Sequence, residues 1–323
     1  MLIQIIRRTI QITGIIFIIV VPFVSLYGVL VENYRLAMVD GEGWQRFFDK
    51  IDTLVRYFGE DTAKVARSVK GSLFWSVTIK DFNISDPLTF VGSLFGSLGF
   101  YSKLFISILP LVVITVLLGR VYCGWICPMN LMFELNGKIR NILRKVGVDT
   151  FNVSFARLNK YMMLIAGAVL TLVLGVQVFS FIYPPILFNR ELIHLIYFGS
   201  VGVGGVVLVM IFLFEISISQ RAWCRYFCPG GALWSLMGAK RLVQVTIDRE
   251  ICDDCGKCNL ACEFGLDPMR GKMGMECDNC GKCISKCKPD ALKYSLVLPW
   301  QKGGVRMERD EKKEDEKLKT VSN

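Results

Sequence analysis

Eight cysteines near the C-terminal end of this 323-residue chain fall into two copies of one spacing. The first copy is Cys252-x2-Cys255-x2-Cys258-x3-Cys262, and the second, fourteen residues further on, is Cys277-x2-Cys280-x2-Cys283-x3-Cys287. Thiolates separated by two residues let a short loop wrap three corners of an iron–sulfur cubane, and the fourth ligand must come from elsewhere. In tandem runs of this kind the fourth cysteine of each run serves the other cluster. The expected ligand sets are Cys252, Cys255, Cys258 and Cys287 for one [4Fe-4S] cluster, and Cys277, Cys280, Cys283 and Cys262 for the second. The chemistry is then electron transfer. Gly256 and Gly281, each just after the second cysteine of its run, suit a tight loop and any positive φ it requires. A zinc site uses four ligands and gives no reason for eight in this doubled order. One departure is visible, since Cys262 is followed by Glu263 and not by proline.

The other four cysteines repeat a second pattern, Tyr122-Cys123-Gly-Trp-Ile-Cys127-Pro128 and Trp223-Cys224-Arg-Tyr-Phe-Cys228-Pro229. Each copy stands at the end of an apolar stretch, follows a basic residue (Arg120 or Arg221), and precedes an amphipathic helix expected over 129–145 or 231–242. Proline suits the first position of such a helix, because its missing N–H would be unpaired there anyway. Two equivalent halves bringing four thiols together predict a further metal centre on Cys123, Cys127, Cys224 and Cys228, iron–sulfur before other metals. The rivals are redox dithiols and small, inert buried residues.

A hydrophobic content of 53% and a mean hydropathy of +0.45 place these motifs in a membrane protein. Four stretches approach the ~20 apolar residues that a hydrocarbon layer of about 30 Å demands. They run from Ile10 to Leu30, Leu104 to Leu118 (with Pro110), Tyr161 to Ile182, and Ile193 to Ile216. Basic residues cluster before the first, between the second and third, and after the fourth, so both termini are expected in the cytoplasm. The net charge of +10 is mainly this topology signal, and no basic stripe with interleaved aromatics supports a nucleic-acid partner. The fold class is thus a mostly α membrane protein: four transmembrane helices over 1–242, with a periplasmic loop at 31–99, then a small α+β two-cluster ferredoxin-like domain at 243–300. The strands expected in that domain include Val243–Ile247 and Lys293–Leu296. A charged tail at 301–323 is expected to be disordered.

With CGWICPMN and WCRYFCPGG at span ends, followed by the tandem cysteine module, the chain resembles the NapH/MauN family of membrane-bound ferredoxin-type quinol dehydrogenase components. The segment from Ser76 to Ser97, with Ile84-Ser85-Asp86-Pro87-Leu88, is also similar to the family's stretch ahead of its second span. The resemblance implies a four-span protein of the bacterial inner membrane that oxidises menaquinol or ubiquinol. It also implies a periplasmic iron–sulfur or cytochrome c acceptor and, beyond it, a terminal reductase of the nitrate reductase type. Related proteins with similar motifs serve copper handling in oxidase assembly, which is the alternative function. A third possibility is a structural anchor whose clusters relay electrons from a soluble donor.

Quinol oxidation releases protons and needs groups to take them. The candidates are His194, the only histidine, with Glu191 beside it, and Glu215 near the end of the fourth stretch. An insertion from about Ala37 to Val69 departs from the family pattern; Trp44, Phe47, Phe48, Ile51, Leu54, Val55 and Phe58 share one helical face there. That face is expected to pack on the periplasmic loop or to dock a partner. No phosphate-binding or dinucleotide-binding glycine motif and no C-x-x-C-H haem motif occurs.

Overall fold

The computed structural model describes residues 2–32, 46, 49–50, 52–53, 69–72, 76–79, 82–147, 151 and 153–297. Apart from a few isolated positions, the insertion at 37–69 and the whole tail at 301–323 lie outside the described residues. The described chain is mostly helical and its residues fall into two compact units, one drawn from 2–9, 114–125 and 234–297, the other from the described residues of 10–113 and 126–233.

Helix α1 (Leu2–Glu32) continues through Pro22 and begins earlier than the apolar run alone suggests. Among the described residues its Leu2–Ser25 portion, with a mean hydropathy of 1.8, is the one helix long and apolar enough to cross a membrane. Three shorter apolar helices follow: α3 (Ser102–Leu118), α5 (Asn159–Leu174) and α8 (Val203–Ser217). Two expected spans need correction. The stretch Tyr161–Ile182 stops at Leu174, where Gly175 takes φ +65° and its N–H bonds Thr171 O; α6 (Phe179–Ile182) is a separate turn. The stretch Ile193–Ile216 is two helices, because Gly199 at φ +65° ends α7 (Pro184–Phe198) and Gly202 opens α8. Glycine enters the left-handed region without a Cβ clash, so it ends helices as readily as it lets them pack closely.

In the second unit, strands β1 (Val69–Ser72), β2 (Ser76–Ile79) and β3 (Phe82–Ser85) form an antiparallel sheet with Val69 opposite Ile79 and Ser76 opposite Ser85. The chain then enters α2 (Pro87–Ser97) through a strong N-cap. The Asp86 carboxylate accepts from Leu88 N at 2.8 Å and from the Tyr183 hydroxyl at 3.3 Å, which satisfies a helix-start N–H and buries the charge with partners. Two apolar cores complete the unit. One gathers Met129, Phe133, Leu187, Leu208 and Ile211, and the other Leu88, Phe179, Tyr183 and Ile186. Gly167 matters to the second, because a Cβ there would meet the Phe179 ring at 2.5 Å.

The first unit holds the cysteine module. Strands β4 (Val243–Ile247) and β5 (Leu292–Leu296) pair antiparallel, Val243 opposite Leu296 and Ile247 opposite Leu292. Between them lie the one-turn helices α10 (Lys257–Ala261) and α11 (Lys282–Lys286). The strand pair closes the module, and each short helix carries the third cysteine of its run.

Candidate electron-transfer site

The two cysteine runs fold as copies of each other. In each, the residue before the second cysteine has positive φ (Asp254 and Asn279, both 50°), and the glycine after it repeats this (Gly256 69°, Gly281 68°). Each glycine then opens the helix that carries the third cysteine. Aspartate side chains brace the loops: Asp253 accepts from Cys255 N at 3.4 Å and Asp278 from Cys280 N at 3.2 Å. The reversal aims three thiols of each loop inward.

Two hollows result, and their linings sort the cysteines. One, of about 270 Å³, is lined by Cys252, Cys255, Cys258 and Cys287 with Ile247 and Leu292. The other, of about 380 Å³, is lined by Cys262, Cys277, Cys280 and Cys283 with Val245, Phe264 and Met273. The fourth cysteine of each run lines the hollow of the other run. Among the described residues no three ligating side chains converge closely enough for a single ion. Thiols spread around an apolar hollow fit a cubane better than a zinc ion, whose sulfurs must sit about 2.3 Å from one centre. Burial pushes the Cys277 thiol up to about 11 and the Cys283 thiol up to about 12. Such thiols stay neutral unless a metal takes the place of the proton. The donor set and the space therefore fit four-iron clusters. Glu263, standing where proline was expected, forms an ion pair with Lys282 and so ties one run to the other.

The two C-x3-C-P segments also share one local structure. Tyr122–Ile126 and Trp223–Phe227 are each a single turn of π-helix, followed by an extended cysteine and a proline-led helix, α4 (Pro128–Lys145) or α9 (Pro229–Met237). In the second unit, Cys127 and Cys224 lie in one core and Cys228 in the other, with Trp223 packed against both. Burial, reinforced by Cys228, Glu215 and Cys127, pushes the Cys224 thiol well up from its ordinary value. The Cys228 sulfur accepts from Gly231 N at 3.3 Å, at the start of α9. The Trp223 indole N–H is buried and meets no acceptor among the described residues. Cys123 lies in the first unit, beside the Arg120 guanidinium.

The proton candidates turn out to be engaged with helix ends. Glu191, mostly buried, accepts from Gly202 N at 2.7 Å and so caps α8. His194 Nδ1 meets Ser200 O at 2.8 Å, and its ring leans on Phe198. Glu215 is 2% exposed and accepts from Trp223 N at 2.6 Å, holding the second π-turn. Tertiary structure also reveals residues that sequence reasoning treated only as flanking charge. Arg120 and Arg221, three residues ahead of Cys123 and Cys224, are 1% and 2% exposed. Arg120 pairs with Glu276 at 2.8 Å, and Arg221 pairs with Glu134 at 3.2 Å and also donates to Asn130. The repeated arginine in the two motifs was the available signal.

Comparison with known proteins defines the class. A family described as a 4Fe-4S binding domain matches residues 104–146 and 195–245, the two segments that carry the C-x3-C-P turns. Among relatives, the methylamine utilization ferredoxin-type protein MauN of Methylobacillus flagellatus is 30% identical over 65% of this chain and 71% of its own length. The ferredoxin-type protein NapH of Haemophilus influenzae is 30% identical over 63% of this chain and 70% of its own. An uncharacterized protein of Methanocaldococcus jannaschii is 33% identical over 73% of this chain and 98% of its own. No solved structure matches. The chain belongs to the NapH/MauN family of ferredoxin-type proteins.

Proposed function

We propose that this chain is a four-span subunit of the bacterial inner membrane, with cytoplasmic termini, that oxidises menaquinol or ubiquinol. Electrons then leave towards a periplasmic iron–sulfur or cytochrome c partner and a terminal reductase of the nitrate reductase type. The observation that carries the reading is the sorting of eight thiols into two hollows, each completed by a cysteine from the opposite run. Cys252, Cys255, Cys258 and Cys287 would hold one [4Fe-4S] cluster, and Cys262, Cys277, Cys280 and Cys283 the other. A four-iron cluster supplies reversible uptake of one electron at a time.

The chain's own residues set the conditions for that chemistry. Apolar side chains line part of each hollow, while Asp253 and Asp278 fix the loops through backbone N–H groups. Helices α1, α3, α5 and α8 would supply the four crossings, with α7 folded back on α8; α3, α5 and α8 are short and apolar, which suits locally thinned lipid. Glu215, beside the second turn, is the carboxylate best placed to take a proton there, with Glu191 and His194 as the pair near the other end of that segment. Cys123, Cys127, Cys224 and Cys228 are assigned a further centre or a dithiol relay.

Quinol-dependent reduction of the acceptor in membranes tests this. Cys123→Ser and Cys228→Ser are expected to abolish it, and unchanged turnover in either variant contradicts a redox role for those pairs. One second reading is a copper-handling assembly factor, since soft thiolates suit Cu(I) and Cys127 and Cys224 share one core. Copper binding without quinol oxidation selects it.

A further inference from the structure

The two hollows are unequally connected. The loop Cys277–Cys283 is braced within its own unit by three separate segments. From the start of α1, Gln4 Nε2 donates to Cys280 O at 2.9 Å, and a Cβ on Gly281 would meet Ile3 at 3.0 Å. From β5, the Tyr294 hydroxyl donates to Asn279 O at 2.7 Å. The third segment is the first C-x3-C-P turn itself. The Trp125 indole N–H donates to Asn279 O at 3.0 Å, and the Asn279 amide donates back to Leu118 O at 2.8 Å. A Cβ on Gly124 would lie 2.8 Å from Asp278 O and 2.9 Å from its carboxylate, so only glycine lets the backbone beside Cys123 touch the backbone beside Cys277. Arg120, three residues before Cys123, closes the junction, its guanidinium donating to the carbonyl and the carboxylate of Glu276, the residue just before Cys277. The other loop stands open instead: Cys255 is exposed, and Ile251 and Leu260 beside it are 51% and 90% exposed.

From this junction we infer the order of the relay: the cluster site of Cys262, Cys277, Cys280 and Cys283 is the inner one, joined to the ends of α1 and α3 in its own unit and to the turn Cys123-Gly124-Trp125, and the site of Cys252, Cys255, Cys258 and Cys287 is the outer one. Gly124 and Trp125 are positioning residues for that coupling. The inference rests on the proposed quinol oxidation. One quinol gives up two protons and two electrons to become quinone; each electron reduces one four-iron cluster by one unit, the inner before the outer.

The test uses the full-length protein in lipid nanodiscs, prepared anaerobically, with a soluble quinol as reductant and dithionite as control, read by electron paramagnetic resonance after rapid freezing. In Cys255→Ala, quinol is expected to reduce the remaining inner cluster as fast as in the wild type. In Cys280→Ala, the remaining outer cluster is expected to stay oxidised with quinol yet to be reduced by dithionite. Gly124→Val keeps all eight thiols; it is expected to retain both dithionite signals while quinol reduction slows about a hundredfold, the scale on which a shift of about 1 Å acts at a positioned reaction geometry. Rapid quinol reduction of the outer cluster in Cys280→Ala, or an unchanged rate in Gly124→Val, overturns the order. A wild-type protein that dithionite reduces and quinol does not overturns the proposed function, and the order with it.

Discussion

The turn at Tyr122–Ile126 and the turn at Trp223–Phe227 are written with one pattern and folded into one shape, yet they are held by different means. The first is fastened by Arg120 to Glu276 and by Trp125 to Asn279, residues some 150 positions away. The second is fastened by Arg221 to Glu134 and by the Glu215 carboxylate to the Trp223 N–H. Gly124 in the first turn stands where the second has Arg225, whose guanidinium lies over the Tyr226 ring at 4.9 Å. A short repeat therefore fixes backbone geometry, while the long-range partners decide what each copy touches.

The sharpest way to break the comparison is at the two arginines. Removing one member of a buried ion pair leaves an uncompensated charge and costs about 3–5 kcal/mol. Arg120→Met and Arg221→Met are both expected to lose that much, read as a large fall in the thermal midpoint in detergent. The double variant Arg221→Met/Glu134→Leu is expected to recover most of the loss, since replacing a whole buried pair by apolar groups is often neutral. A mild effect of either single change would mean that the turns are held otherwise. Next in size is Glu215→Ala, which leaves the Trp223 N–H without its acceptor and is expected to cost about 1–3 kcal/mol. It should loosen the second turn only, seen as faster amide exchange at 222–227 with exchange at 121–125 unchanged. The smallest effect is expected at Arg225→Ala, which removes a cation–π contact worth about 0.5–1 kcal/mol. A larger loss there would show that Arg225 anchors its turn as Gly124 anchors the first.

Much of this was legible in local sequence. Cysteine spacing marked out the two loops that line the hollows, and Gly256 and Gly281 were read as positive-φ positions from their place in the loop. Strand β4 lies where it was expected, and β5 begins one residue earlier, at Leu292. Gly199 and Gly202 were less transparent. In an apolar run, glycine reads equally as a close-packing residue or as a helix end, and only the Glu191 cap on Gly202 N decides it. Arg120, Arg140, Lys160 and Arg221 read as charges flanking spans; their burial depends on carboxylates, carbonyls and rings that a local pattern does not name. The sheet β1–β3 was missed because its four-residue strands carry little alternation, although Asp86-Pro87 ahead of α2 was a readable cap.

The central claim is that the tandem cysteines carry two four-iron clusters. Mössbauer spectroscopy with iron analysis on the anaerobically purified full-length chain tests it most directly. The account predicts about eight iron atoms per chain in two four-iron environments from the tandem runs, any further iron coming from the C-x3-C-P cysteines, and loss of one environment in Cys280→Ala. Protein that holds no iron, or a single mononuclear site bound by these thiols, would contradict it.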